Sequence, residues 1–203
     1  RSTLFPYTTL FRSSCLCGKQ LEDDEQEYCH DCVVKQHNFK RGVAAFSYSQ
    51  GMKKSMYAFK YNNRREYAKY YASVIAKEFK DVIFSWNCEV LVPVPLHRRK
   101  LIKRGYNQAE ILAKRLSEQL LIPMDNKILI RTRNTVPLKE LNEKERITNL
   151  KSAFQTDEIK LKYKRIILVD DIYTTGSTID ECAWTLLRNG AEEQIYEKIS
   201  DIT

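Results

Sequence analysis

The chain lacks any apolar run approaching the ~18 to 20 residues that a bilayer-spanning helix needs, which excludes insertion by such a helix. Its opening residues also lack the basic, apolar and small-residue zones of a secretory signal, so a cytoplasmic location is the expectation. No internal repeat or low-complexity segment is present, which sets repeat architectures aside. No Lys follows the glycine of "TTGST", ruling out a Walker A loop, and no GxGxxG occurs. Six cysteines without an export signal are expected to be metal ligands or packing thiols rather than disulfides.

What is present fits a globular protein. The 203 residues can bury one substantial core and a small appended module. Hydrophobic content of 43% beside 30% charged residues is ordinary for a soluble chain. A net charge of +8 and a pI of about 9.1 favour anionic partners such as phosphates, nucleotides or nucleic acid, without specifying one.

Three regions follow. Residues 1–13, "RSTLFPYTTLFRS", carry no acidic residue, share no pattern with the rest and look like translated adapter sequence, so they are set aside as non-native. Residues 14–38 hold four of the six cysteines and no long apolar period, the mark of a small module held by something other than a core. Residues 39–203 alternate strand-like and helix-like segments. Strands are expected at 42–49, 89–95 and 127–131, and another ends in Asp170. Helices are expected from Met52, around Tyr67–Phe79, along Ala109–Leu120 until stopped near Pro123, and after Thr178 until Gly190 caps the end. That alternation predicts an α/β domain, a parallel sheet flanked by helices. The end, "EEQIYEKISDIT", is too polar for a central strand and reads as an edge strand or a damaged terminus.

"IILVDDIYTTGST" (166–178) carries the most chemistry. Its four apolar residues read as a strand buried on both faces, and ligands of such sheets bind at the strands' carboxyl ends. Thr174, Thr175, Gly176, Ser177 and Thr178 would turn backbone amides and hydroxyls toward a phosphate at a helix start, with Gly176 allowing close approach. Asp170 and Asp171 would oppose that phosphate unless they accept hydrogen bonds from something else, such as the vicinal hydroxyls of a ribose. The alternative is a solvated turn in which Thr178 caps the helix.

From His97 to Arg104, five of eight residues are basic: Arg98, Arg99, Lys100, Lys103 and Arg104. The run leaves a strand end as a loop, where it would neutralise an anion; a solvated basic face is the alternative. In the small module, Cys29 and Cys32 form a C-x-x-C knuckle, and Cys15 and Cys17 lie upstream in a shorter C-x-C-G spacing. Four thiolates suit a tetrahedral structural Zn²⁺, with His30 or His37 as substitute ligands. Cys88 and Cys182 read as packing residues.

Together these stretches resemble the ComF/ComFC family. "ILVDDIYTTGST" is similar to the 5-phosphoribosyl-1-pyrophosphate (PRPP) loop of type I phosphoribosyltransferases. The cysteine module, "LVPVPLHRRKLIKRGYNQAEILA" and "RTRNTVPLKELNEKERITNLKSAF" precede it in the family's order. The resemblance spans about residues 15–190. It implies a phosphoribosyltransferase, a pentosyl-transferring enzyme, with Asp170 and Asp171 on the ribose and Thr174–Thr178 on the 5-phosphate. It also places the basic segment near pyrophosphate and Mg²⁺, and Arg133, Glu145, Arg146 and Asn149 in a mobile cover. Leu138 stands where the family usually has Gln, so one polar contact is absent. The family further implies a link to DNA uptake, with single-stranded DNA and a competence helicase as partners. A PRPP sensor without turnover, or a single-stranded-DNA-binding competence factor, is the rival reading.

Overall fold

Apolar periodicity and caps set the elements in chain order. In the computed structural model the described residues are 17, 28–47, 49–133, 153–156, 162–173, 175–191 and 193–201. They form α1 (His30–Val34), β1 (Arg41–Ser47), α2 (Gln50–Tyr61), α3 (Tyr67–Ser85), β2 (Val90–Pro93), α4 (Arg98–Arg104) and α5 (Gln108–Leu120). Then come β3 (Leu129–Arg131), β4 (Phe154–Thr156), β5 (Arg165–Tyr173), α6 (Ser177–Arg188) and β6 (Glu193–Asp201). Ser49 starts α2 by accepting a hydrogen bond from the Met52 amide, and Met52, Met56 and Phe59 form its buried stripe. Asn107 starts α5 the same way while its Nδ2 donates to Val94 O at 3.0 Å, tying the helix to the end of β2.

Four strands form one parallel sheet in the order β1-β6-β5-β2. β2 pairs with β5 from Val90↔Ile166 to Pro93↔Val169. The missing amide of Pro93 falls on the outer edge, where the Leu91 amide donates to Pro123 O, and the Val94 amide still donates to Val169 O at 2.9 Å. The outer edge of β2 is met by a bridge between Leu91 and Met124. Two expectations fail. The final strand is not an edge: β6 lies between β1 and β5. A helical crossover tends to return the chain beside the strand it left, and α6 sets β6 directly against β5, so connectivity outweighs composition. The expected strand at 127–131 does not join the sheet either. Only Leu129–Arg131 is extended, pairing antiparallel with β4 in a separate two-stranded ribbon. Ile130 is 46% exposed, which a strand covered on both faces would not allow.

The pleat of β5 feeds two cores. Ile167 and Val169 pack with residues of α2, α3 and α5, including Met56, Phe59, Tyr71, Ile75 and Leu112. Ile166 and Leu168 pack on the other face with Ile179, Cys182, Ala183 and Leu186 of α6, with Phe154, and with Cys17, Cys29 and Phe39. The fold is therefore a parallel sheet with helices on both faces, and the cysteine-bearing segment joins the second core. Truncating Ile75 or Leu168, both fully buried, to Ala would cost about 2–5 kcal/mol. Among the described residues no helix is long and apolar enough to cross a membrane.

Candidate active site

The acid pair lies inside β5 rather than at its end. The strand continues to Tyr173, with Asp170 paired to Lys198 and Ile172 to Ser200 in β6. Successive side chains of a strand alternate faces, so Asp170 follows the Ile166–Leu168 row and Asp171 the Ile167–Val169 row. Their surroundings agree. Asp171 Oδ2 lies 2.8 Å from Lys60 Nζ at the end of α2, in a pair that is 14% and 16% exposed. Asp170 Oδ1 accepts the Asp171 amide at 2.8 Å, and its carboxyl lies in reach of the Arg131 charge and the Cys182 thiol on the opposite side.

Burial of its carboxyl, with the Asp171 charge added, pushes Asp170 up to about 7; the Asp171 amide, Lys60 and Arg131 pull it back. Burial likewise pushes the Cys182 thiol up, and Asp170 adds to it. Arg131 stands at the end of β3 with its guanidinium 5.1 Å from the Phe154 ring centre. Burial pushes it below the ordinary arginine range, opposed by Cys182 and Asp170. The β3–β4 ribbon thus brings a cation to Asp170, and α2 brings one to Asp171.

The basic run is a helix rather than a loop. His97 Nδ1 accepts the Arg99 amide at 3.3 Å to start α4, and Gly105, at φ 83°, closes it in a left-handed conformation. A helix divides what a loop would present together. Arg98, Arg99 and Lys103 are exposed, while Lys100 and Arg104, one turn apart, are half-buried. Burial pushes the Lys100 ammonium below its ordinary range, and the charges of Arg131 and Arg104 push it further. Arg104 Nη1 donates to Gln108 Oε1 at 2.6 Å, its guanidinium lies 5.2 Å from the Tyr61 ring centre, and Gln108 Nε2 donates to Lys60 O at 3.5 Å. Tyr106 Oη donates to Phe59 O. The α4–α5 junction therefore grips the end of α2 that carries Lys60.

Beyond β5, Gly176 is the residue before α6, at φ 73°, a conformation that strains any side-chain-bearing residue. It takes the capping position in place of Thr178. The first-turn amides of α6 have no intrahelical acceptor and carry the positive end of the dipole. Thr175 Oγ1 and Ser177 Oγ share a hydrogen bond of 2.9 Å. Thr174 lies outside the described residues, as do Leu138, Glu145, Arg146 and Asn149. Arg133 is exposed just past the ribbon.

The sulfurs of Cys17, Cys29 and Cys32 lie within 4.8 Å of one another, with Cys17 and Cys29 at 3.4 Å. The turn opening α1, with the amides of Cys32 and Val33 donating to Cys29 O, folds the C-x-x-C knuckle into this shape. Hydrogen bonds with Cys17 and Cys29, then burial, push the Cys32 thiol up, so three thiolates cannot gather here without a cation. That donor set fits a soft tetrahedral metal. Cys15 lies outside the described residues. None of the five described cysteines, including Cys88 and the fully buried Cys182, is joined in a disulfide.

Neither Lys60 nor Arg131 is singled out by sequence reasoning. Each reaches the acid pair through packing, and only the position of Arg131 at the end of "KILIR" offers a local hint. His37, considered above as a metal ligand, instead places Nδ1 2.9 Å from Asp180 Oδ2.

A family model described as a phosphoribosyl transferase domain matches residues 101–196, from within α4 into β6 and across the acid pair. Competence protein F of Haemophilus influenzae is 32% identical over 182 residues, covering 87% of this chain and 79% of that protein. DNA utilization protein YhgH of Escherichia coli is 32% identical over 166 residues, 80% of this chain and 73% of that protein. Competence protein ComFC of Bacillus subtilis is 30% identical over 185 residues, 86% of this chain and 71% of that protein.

Proposed function

The chain belongs to the ComF/ComFC family of proteins with a phosphoribosyltransferase domain, and from that membership we propose that it binds Mg²⁺–PRPP and transfers its phosphoribosyl group with release of pyrophosphate. The observation that carries the reading is the acid pair of β5 followed, within a few residues, by a glycine-started turn opening α6, with Lys60 and Arg131 beside the acids and Lys100 near Arg131. Asp170 and Asp171 accept hydrogen bonds from the ribose hydroxyls. Thr174, Thr175, Gly176, Ser177 and Thr178 hold the 5-phosphate with amides and hydroxyls.

In the reaction the C1–O bond breaks with its electron pair leaving on pyrophosphate, and a nitrogen nucleophile forms a bond to C1 and gives up a proton. Negative charge on the departing group is the largest change, and Lys100 and Arg104, with Arg98, Arg99 and Lys103 outside them, are the residues to stabilise it. Mg²⁺ would accompany the pyrophosphate and offset the same charge. Arg133, Glu145, Arg146 and Asn149 belong to the cover over the site. Cys17, Cys29 and Cys32, with Cys15 as fourth ligand, would hold a structural Zn²⁺. In this reading residues 1–13 are non-native, 14–38 are the zinc module and 39–203 the catalytic domain, in a cytoplasmic protein serving DNA uptake. A screen of nucleobases and amines with PRPP and Mg²⁺, following pyrophosphate release, tests it. Release with at least one acceptor is expected, and loss of that release in Asp170→Asn must accompany it.

A second reading has its own support. Tyr57 and Tyr61 are 60% and 61% exposed on α2, their ring centres 5.0 Å apart, with Arg104 beside Tyr61. Exposed aromatics next to the basic face of α4 suit the stacked bases and phosphates of single-stranded DNA, where each stacking contact is worth about 1–3 kcal/mol. A competence helicase would then share the strand, and PRPP would regulate binding rather than be consumed. Tyr57→Ala with Tyr61→Ala should weaken an oligonucleotide while leaving PRPP binding intact; unchanged DNA affinity removes this reading.

A further inference from the structure

We infer that Asp180 is a positioning residue through which the cysteine-bearing segment sets the turn that opens α6; this rests on the reading that the turn takes the 5-phosphate. Asp180 is a buried carboxylate, 7% exposed, in the first turn of α6. Among the described residues, the partners of its side chain come from one short stretch far away in sequence. Lys35 Nζ lies 2.6 Å from Oδ2, His37 Nδ1 lies 2.9 Å from Oδ2 and 3.1 Å from Oδ1, and the Asn38 amide donates to Oδ1 at 3.0 Å. Asn38 Nδ2 also donates to the Asp180 carbonyl at 3.4 Å.

Asp180 faces two ways. Its own amide donates to Gly176 O at 2.8 Å, the first bond that closes the turn. Its side chain is held from the other direction by a segment with little freedom. His37 has no exposed side-chain surface and stacks on Phe39 with ring centres 4.6 Å apart. Phe39 and Cys29 share a core with Ile179, Cys182 and Ala183. Because a carboxylate only accepts, the His37 proton sits on Nδ1, and the imidazole acts as a fixed strut. Lys35 meets the negative charge that would otherwise oppose a bound phosphate, while a carboxylate this close to a helix start is favoured by the dipole. Segment 35–38 thereby fixes the carbonyl of the glycine on which the phosphate turn hinges.

Calorimetry with ribose 5-phosphate and, separately, inorganic pyrophosphate tests this on the full chain. Asp180→Ala should weaken ribose 5-phosphate about tenfold, the loss of one charge-assisted hydrogen bond, and leave pyrophosphate within about twofold. Asp180→Asn, whose carbonyl still accepts from His37 and Asn38, should recover most of the loss. Lys35→Met covers the case in which Asp180→Ala fails to fold and should weaken ribose 5-phosphate in the same selective way. Hydrogen exchange at the Asn38 amide should slow when ribose 5-phosphate binds the parent protein. If parent and variants bind ribose 5-phosphate alike, Asp180 is not a positioning residue and the phosphate reading stands. Equal loss of both ligands marks a merely structural role and overturns the inference. If the parent protein fails to bind ribose 5-phosphate, the phosphate reading falls and this inference with it.

Discussion

Lys60 Nζ sits 2.8 Å from Asp171 Oδ2, joining the last turn of α2 to the acid pair in the middle of β5. Both side chains are largely covered, so the pair is screened less than a surface ion pair. Removing the cation leaves a carboxylate without its counter-charge. Lys60→Met should lower the free energy of unfolding by about 1–3 kcal/mol, and Lys60→Arg by less. Urea denaturation of the three proteins measures it, and a Lys60→Met variant as stable as the parent would show the pair to be inert.

Asp170 gives the opposite sign. An unfolded aspartate titrates near ~3.9, whereas burial and the Asp171 charge push Asp170 up to about 7 in the fold. Between those values the folded protein binds the extra proton, so this residue's contribution to stability falls as pH rises from about 4 to about 7. Asp170→Asn should therefore melt higher than the parent at pH 8, with the gap closing toward pH 4. The same change should abolish PRPP binding. A pH-independent gap would place the group in ordinary solvent.

Asp180 behaves as a stabilising acid. Burial pushes it upward, yet hydrogen bonds from His37 and Lys35 hold it below the usual carboxylate range. Its contribution is therefore present above the unfolded value, about 4, and is lost as pH falls through the lower folded value. Acid unfolding of Asp180→Asn compared with the parent should show a shallower loss in that window.

The sequence made part of this legible. Ile166–Val169 announces a strand buried on both faces, and "TTGST" announces a turn into a helix, because both signals are local. The Lys60–Asp171 pair is not local: nothing in "AFKY" indicates that packing of Phe59 against Tyr71 and Tyr106 brings the next residue onto β5. The helical form of 98–104 is hidden because its caps, His97 and Gly105, are modest signals beside a strong charge run. The place of β6 is concealed for another reason. Sheet order follows from which strand the α6 crossover reaches, and composition does not record it.

The split within α4 predicts separable effects. Lys100→Met with Arg104→Met should weaken pyrophosphate by about tenfold or more, on the scale of lost charge-assisted contacts. Arg98→Ala, Arg99→Ala and Lys103→Ala together should weaken a single-stranded oligonucleotide, an effect that fades at high salt. Equal effects of both sets on both ligands would mean that the helix acts as one undivided basic face.

Metal at the three-thiol cluster should stabilise more than its own segment, because Cys17 and Cys29 share a core with α6. Native mass spectrometry should find one Zn²⁺ per chain. A chelator should lower the melting temperature and weaken ribose 5-phosphate binding. A chain that binds no zinc and melts unchanged would rule the structural metal out.

The most direct test is the thermal stability of the protein with and without Mg²⁺–PRPP, beside the Asp170→Asn, Asp171→Asn double variant. At about a hundredfold excess over the dissociation constant a ligand adds about 2.7 kcal/mol, enough to raise the melting temperature by several degrees. The parent protein should show that rise and the double variant none. An equal rise in both would contradict the assignment of the acid pair to the ribose.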